Sequence, residues 1–315
     1  MDVFLIVLLC IVLFLIISFL VVCWLLFALA CAKDVPKIMA PLMNGLIGGF
    51  HLDELDMVVQ GKSFFENEPK EEWETRSFDG LRLNAVFIPC DNARATIILF
   101  HGYRSSAIHD FSGVLPYYRS LGLNILMVDQ RSHGKSEGKY ITFGVLERMD
   151  VLSWTAEHNK RVGKDTPIIL DGISMGGATV AFASSLDLPK NVVGIVDDCG
   201  YSSAKLQIHY IMGLMKIPVF PFYQFADAFC SLLGRFSFSD VDARECLEKT
   251  NIPCLFLHGE ADDFVLCDMG RECYERCGSK KQIYLCPGAG HGMSYITETD
   301  KCQKLLADFI DDVLS

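Results

Sequence analysis

Gly172-Ile173-Ser174-Met175-Gly176 places one serine between two glycines, each two positions away. The pattern carries chemistry only when a buried strand leads into it and a helix leads out. Residues 167–171 (PIILD) precede it, and residues 175–186 (MGGATVAFASSL) follow, so both conditions are met. A turn this sharp strains the serine backbone and exposes its hydroxyl, and bulky neighbours would collide with the adjoining strand and helix. The amides opening the helix then point at developing negative charge. Ser174 is the expected nucleophile, for attack on a carbonyl carbon.

A serine hydroxyl needs a base to become a nucleophile. A serine on such a turn takes its acid and then its histidine from later in the chain. Of eight histidines, only His291 follows the last expected strand, in the glycine-rich loop 288–292 (GAGHG). His258 ends a strand and is expected to be structural; His209 lies in an apolar stretch and by default packs or meets solvent. The acid is expected from residues 260–263, where Asp262 is preferred over Asp263 and Glu260, with Asp197 and Asp198 more distant alternatives. Its work is to fix the histidine tautomer and stabilise the imidazolium. Two backbone donors must receive the oxyanion. They are assigned to the amides of Met175 and Tyr103, the latter in the His101-Gly102-Tyr103 loop.

The elements that would position these groups are short apolar runs alternating with helical stretches. A hairpin turns at Asp79-Gly80, and strands are expected at 96–101, 123–129, 167–172, 192–197, 253–259 and 281–286. Runs this short and apolar suit strands buried on both faces. Helices are expected at about 145–161, with Leu146, Met149, Leu152 and Ala156 inward, and from Met175 to about Leu186. This alternation predicts an α/β fold with a mostly parallel sheet covered on both faces. Residues 201–250 interrupt it with an apolar, aromatic-rich stretch, expected to be a small helical cap or lid over an apolar pocket.

Residues 3–32 carry no charge, which is long enough for a transmembrane helix. A cleaved signal or lipoprotein leader is the rival reading, and the missing basic start counts against it. Three segments follow: an anchor at 1–32, a connector of short helices and loop at 33–72, and the α/β domain at 73–315. Lys33 and Lys37 follow the span with nothing basic before it, placing the domain on the cytoplasmic side. A net charge of −11 excludes the basic footprint of a nucleic-acid binder. Thirteen cysteines, several inside apolar runs, suit buried thiols in a reducing compartment. Cys273 and Cys277 have helical spacing, but no second ligand pair of the right kind follows them.

Residues 101–103 (HGY), 129–138 (DQRSHGKSEG), 172–177 (GISMGG), 258–265 (HGEADDFV) and 288–292 (GAGHG) occur in the order of α/β-hydrolase motifs. Over about residues 73–315 the chain resembles that superfamily. Residues 129–138 are similar to the D-x-R-G-H-G-x-S segment of its bacterial serine aminopeptidase-like, lysophospholipase-like and fermentation–respiration-switch-like branch, with Ser132 in place of the usual glycine. The resemblance implies the α/β-hydrolase fold, a Ser174–Asp262–His291 triad, loop-bracing roles for Asp129, Arg131 and His133, and no metal or organic cofactor. The expected activity is cleavage of a carboxylic ester, lipid-like given the apolar cap and the anchor. Amide, peptide or thioester hydrolysis uses the same machinery. Dehalogenation is disfavoured, since that branch has an aspartate where Ser174 stands. The non-enzymatic alternative is a decayed, membrane-tethered interaction protein, though decay normally removes a triad member.

Overall fold

A computed structural model describes residues 3–35 and 55–315. Eight strands form one sheet: β1 (Glu71–Arg76), β2 (Arg82–Ile88), β3 (Ala95–Phe100), β4 (Leu123–Asp129), β5 (Ile168–Ile173), β6 (Val192–Asp198), β7 (Cys254–Gly259) and β8 (Lys281–Cys286). Their order is β1-β2-β4-β3-β5-β6-β7-β8. The β1–β2 and β2–β4 pairs are antiparallel and all other neighbours are parallel. The helices are α1 (Val3–Cys31), α2 (Asp56–Asn67), α3 (Ala107–Phe111), α4 (Leu115–Ser120), α5 (Glu147–Arg161), α6 (Met175–Ala183), α7 (Ala204–Leu214), α8 (Val219–Phe229), α9 (Ala243–Leu247), α10 (Cys267–Arg276), α11 (Ser294–Thr297) and α12 (Thr299–Val313).

Strand alternation sorts the core into two layers. Ile98 and Phe100 of β3 join one cluster with Leu126, Val128 and Leu170. Ile97 and Leu99 join the other, with Ile125, Met127 and Val196, under Leu306, Phe309 and Ile310 of α12. Burying such side chains contributes roughly 1.5–3 kcal/mol each, which holds the strand ends in fixed register. All six residues of β3, and all six of β7, are buried, as parallel strands covered on both sides must be.

The inward face of α5 differs from the expected one. Glu147, Asp150, Val151, Trp154 and His158 are buried, whereas Ala156 is exposed. The expectation failed because polar side chains point inward. Arg131 forks onto both Asp150 carboxylate oxygens at 2.6 and 2.7 Å, and Glu147 accepts from the Thr142 amide at 2.8 Å. Burial is tolerated because each charge is hydrogen-bonded.

Of the connector, Pro41 and Gly45, Gly48 and Gly49 lie outside the described residues. α2 packs against the α/β domain so closely that a Cβ on Gly61 would come 1.7 Å from the Ser112 carbonyl oxygen. The stretch expected to form the cap, residues 201–250, holds α7, α8, a π-helical turn at Cys230–Gly234, and α9. α1 is long and apolar enough to cross a membrane. Its last turns, with Cys23, Phe27, Ala28, Leu29 and Cys31 buried, pack on the cap. Phe19 meets Phe222 and Phe225 of α8 with ring centroids 5.3 and 5.0 Å apart.

Candidate active site

Ser174 stands between β5 and α6 with φ 57° and ψ −115°. For a residue with a side chain this is a strained conformation, kept only where the surroundings dictate it. They do so here by close backbone approach. A Cβ on Gly172 would lie 2.1 Å from the Gly176 carbonyl oxygen, and one on Gly176 would lie 1.8 Å from that of Phe100.

His291, on the loop after β8, brings Nε2 to 2.8 Å from Ser174 Oγ and Nδ1 to 2.8 Å from Asp262 Oδ2. Asp262 is buried in the loop after β7, and its Oδ1 accepts from the amides of Phe264 and Val265 at 3.0 and 2.9 Å. Burial raises its pKa. The hydrogen bonds from His258, His291 and the Val265 amide outweigh that and hold the carboxyl well below the usual range. The alternatives are placed differently. Asp263 and Glu260 are exposed, and Asp263 offers its carbonyl to the Tyr210 hydroxyl. Asp197 and Asp198 lie buried behind Ser174, and burial pushes them up to about 6 and about 8.

Met175 opens α6, and Tyr103 follows Gly102 in the loop after β3. Among the described residues neither amide donates to a protein acceptor. The Gly102 amide is consumed, donating to Asp110 Oδ2 at 2.7 Å. Two neutral imidazoles brace this loop. His101 accepts from the Gln130 amide at Nε2 and donates from Nδ1 to the Gly102 carbonyl. His133 accepts from the Arg104 amide at Nε2 and donates from Nδ1 to the Arg131 carbonyl. Burial lowers both, His133 to about 3.

Known proteins resemble this chain over much of its length. The family model for serine aminopeptidase, S33, matches residues 91–223. Protein YqkD of Bacillus subtilis is 24% identical over 79% of this chain and 82% of its own length. Protein bem46 of Schizosaccharomyces pombe is 24% identical over 78% and 77%. Among solved structures, the Pyrococcus furiosus esterase Pf2001 superposes with a TM-score of 0.66 at 22% identity, covering 79% of this chain and 92% of its own. These likenesses show the α/β-hydrolase fold.

Within this α/β-hydrolase fold, Ser174 and His291 open onto a cavity of about 370 Å³, which Gly102, Tyr103 and Phe264 also line. Val58 of α2 reaches the same cavity, so the segment before the sheet contributes to its wall. Cys199, Asp262 and His291 bring possible metal-ligand atoms within 4.8 Å of one another. Their chemistry fits a hydrogen-bonded relay better: Asp262 and His291 already engage each other, and burial holds the Cys199 thiol neutral. Ser132, in the usual glycine position of its motif, adopts φ 64° and donates from its hydroxyl to the Tyr140 carbonyl at 2.8 Å. His209 packs edge-on against Tyr223 within the cap.

Two supporting residues escaped sequence reasoning. Asp110 ties down the Gly102 amide and accepts from the Ser105 hydroxyl at 2.5 Å. No motif surrounds it, so the sequence carried no signal. His258, expected to be merely structural, backs the acid loop. Its Nε2 donates to the Val265 carbonyl at 2.9 Å and lies 3.3 Å from Asp262 Oδ2. Its position in HGEADDFV, four residues before Asp262, was the available clue.

Proposed function

We propose that the chain is a membrane-anchored serine esterase that works through an acyl-enzyme. What supports this above all is the continuous relay from Ser174 to His291 to Asp262, with both contacts at 2.8 Å. His291 Nε2 takes the Ser174 proton as Oγ attacks the ester carbonyl, and the amides of Tyr103 and Met175 receive the oxyanion. Collapse of the tetrahedral intermediate breaks the bond to the alkoxy leaving group, which takes the proton from Nε2. Water, deprotonated by the same nitrogen, then attacks the acyl-enzyme and releases the acid and Ser174. Asp262 stays ionised and holds the imidazolium. The relay requires no metal or organic cofactor.

The ester preference draws on the esterase among the structural neighbours and on the apolar cap. The serine aminopeptidase description of the family model favours a second reading, cleavage of an amide or peptide by the same residues. Fluorophosphonate labelling that disappears in Ser174→Ala tests the serine hydrolase itself. A folded wild type that resists labelling would return the chain to the decayed, non-enzymatic reading. Comparing p-nitrophenyl esters with aminoacyl p-nitroanilides then separates the two chemistries.

We place α1 across the membrane with the α/β domain on the cytoplasmic side, on the strength of Lys33 and Lys37 after the span. Labelling of Cys90, partly exposed in the α/β domain, by an impermeant maleimide in intact cells would reverse that orientation.

A further inference from the structure

We propose that an apolar cavity of about 100 Å³ between α1 and the cap is the acyl-chain site, and that it takes the hydrocarbon tail of an ester resident in the bilayer. This rests on the esterase reading and names its substrate class. Phe27 and Ala30 of α1, Ile211 and Met212 of α7, and Ala226 of α8 line it. No charged side chain is among its lining residues, so it accommodates hydrocarbon and rejects a headgroup. Tyr103 and Phe264 border both this cavity and the one that holds Ser174. The Phe264 ring lies 5.0 Å from that of His291. Tyr103 and Phe264 thus form the shared wall past which the tail of a carbonyl at Ser174 would pass toward α1.

The length of α1 says where that tail comes from. A bilayer core takes about twenty helical residues, which counted from Val3 end at Val22. The stretch Cys23–Cys31 is left over, and all five buried residues of α1 lie within it. The domain is thus docked at the level where the hydrocarbon ends. Phe19 lies below that level, yet it touches Phe222 and Phe225 of the cap. In α8 and the turn after it, Phe220 and Leu232 are 76% and 75% exposed. Large apolar side chains beside a membrane span suit an interfacial surface better than water. A tail entering between α1 and α8 would pass from lipid to protein without crossing water.

The test uses full-length protein in detergent micelles, with p-nitrophenyl butyrate and p-nitrophenyl dodecanoate as probes. Ala226→Trp and Ala30→Leu fill the cavity from opposite walls, and fluorophosphonate labelling of Ser174 reports whether each variant is folded. The dodecanoate-to-butyrate ratio of kcat/KM is expected to fall by about tenfold or more in a variant that labels. A smaller fall in labelled variants would mean a packing void only and would overturn the proposal. Because the substitutions act on different helices, one labelled variant suffices. A folded wild type that neither labels nor cleaves either ester would instead overturn the esterase reading, and this proposal with it.

Discussion

The Tyr103 hydroxyl donates to the Ala30 carbonyl at 2.7 Å, joining the loop beside Ser174 to the last turn of the apolar helix. Arg104 strengthens the joint. Its guanidinium donates to Tyr103 Oη at 2.8 Å and to the carbonyls of Leu29, Ala32 and Lys33 at 3.2, 2.6 and 3.1 Å. The end of a helix leaves carbonyls without partners, and here a single cation caps several of them.

Arg104→Ala is therefore expected to destabilise the full-length chain by about 2 kcal/mol, read from thermal or denaturant unfolding in detergent. Arg104→Lys should recover little, since one ammonium cannot replace a planar fork reaching three carbonyls and a phenol. A melting curve unchanged in both variants would show that the joint carries no stability.

Asp262→Asn is expected to lower kcat by roughly 10³–10⁴-fold, because an amide favours the wrong tautomer of His291 and cannot stabilise its cation. Asp263→Asn should stay within about twofold of wild type, since that side chain is exposed. Initial rates on a short p-nitrophenyl ester separate the two. Equal losses would reopen the choice of acid.

Gly176→Ala is expected to destabilise by several kcal/mol, on the order of 4, or to abolish folding. Its new Cβ would sit 1.8 Å from the Phe100 carbonyl oxygen, and backbone on both sides cannot retreat cheaply. Recovery of the variant from membranes and its unfolding midpoint report the effect. A near-normal midpoint would mean that β3 and α6 can separate.

Stability should change with pH in two opposed ways. Burial raises Asp171 and Asp198, to about 7 and about 8, so between about pH 4 and pH 8 the folded chain holds protons the unfolded chain has lost. Their contribution falls as pH rises through that window. Asp262 is lowered, and its contribution, present above about pH 4, is lost on further acidification. Asp198→Asn mimics the protonated acid. It should flatten the decline in melting temperature between pH 5 and pH 8, with a gain on the order of 2 kcal/mol at the upper end. A slope identical to that of wild type would show that Asp198 ionises freely.

Much of the fold was legible because its signals are local. A buried parallel strand must be apolar on both faces, so β3, β5, β6 and β7 show as short apolar runs bounded by glycine, proline or aspartate. The turn at Ser174 was legible because backbone contact excludes every side chain at 172 and 176, and the last glycine-rich loop singled out His291 because Gly288 and Gly292 take φ of 70° and 66°, which favours glycine. The face of α5 was not legible. Glu147 and Asp150 turn inward only because Thr142 and Arg131, from a loop before the helix, are there to receive them.

By itself, then, the sequence determined the order of strands and helices, the strained serine turn, the candidate acid and base, and an apolar segment long enough to span a bilayer. Tertiary structure alone decided that α1 docks on the cap, that Asp110 and His258 hold the two loops beside Ser174, and that one apolar cavity is walled by residues as distant in the chain as Phe27 and Phe238. The reason is physical. Strand burial, tight turns and helix length act on neighbours in the chain and leave a periodic or compositional trace. Contacts across two hundred residues depend on how finished elements pack, and packing leaves no period to read.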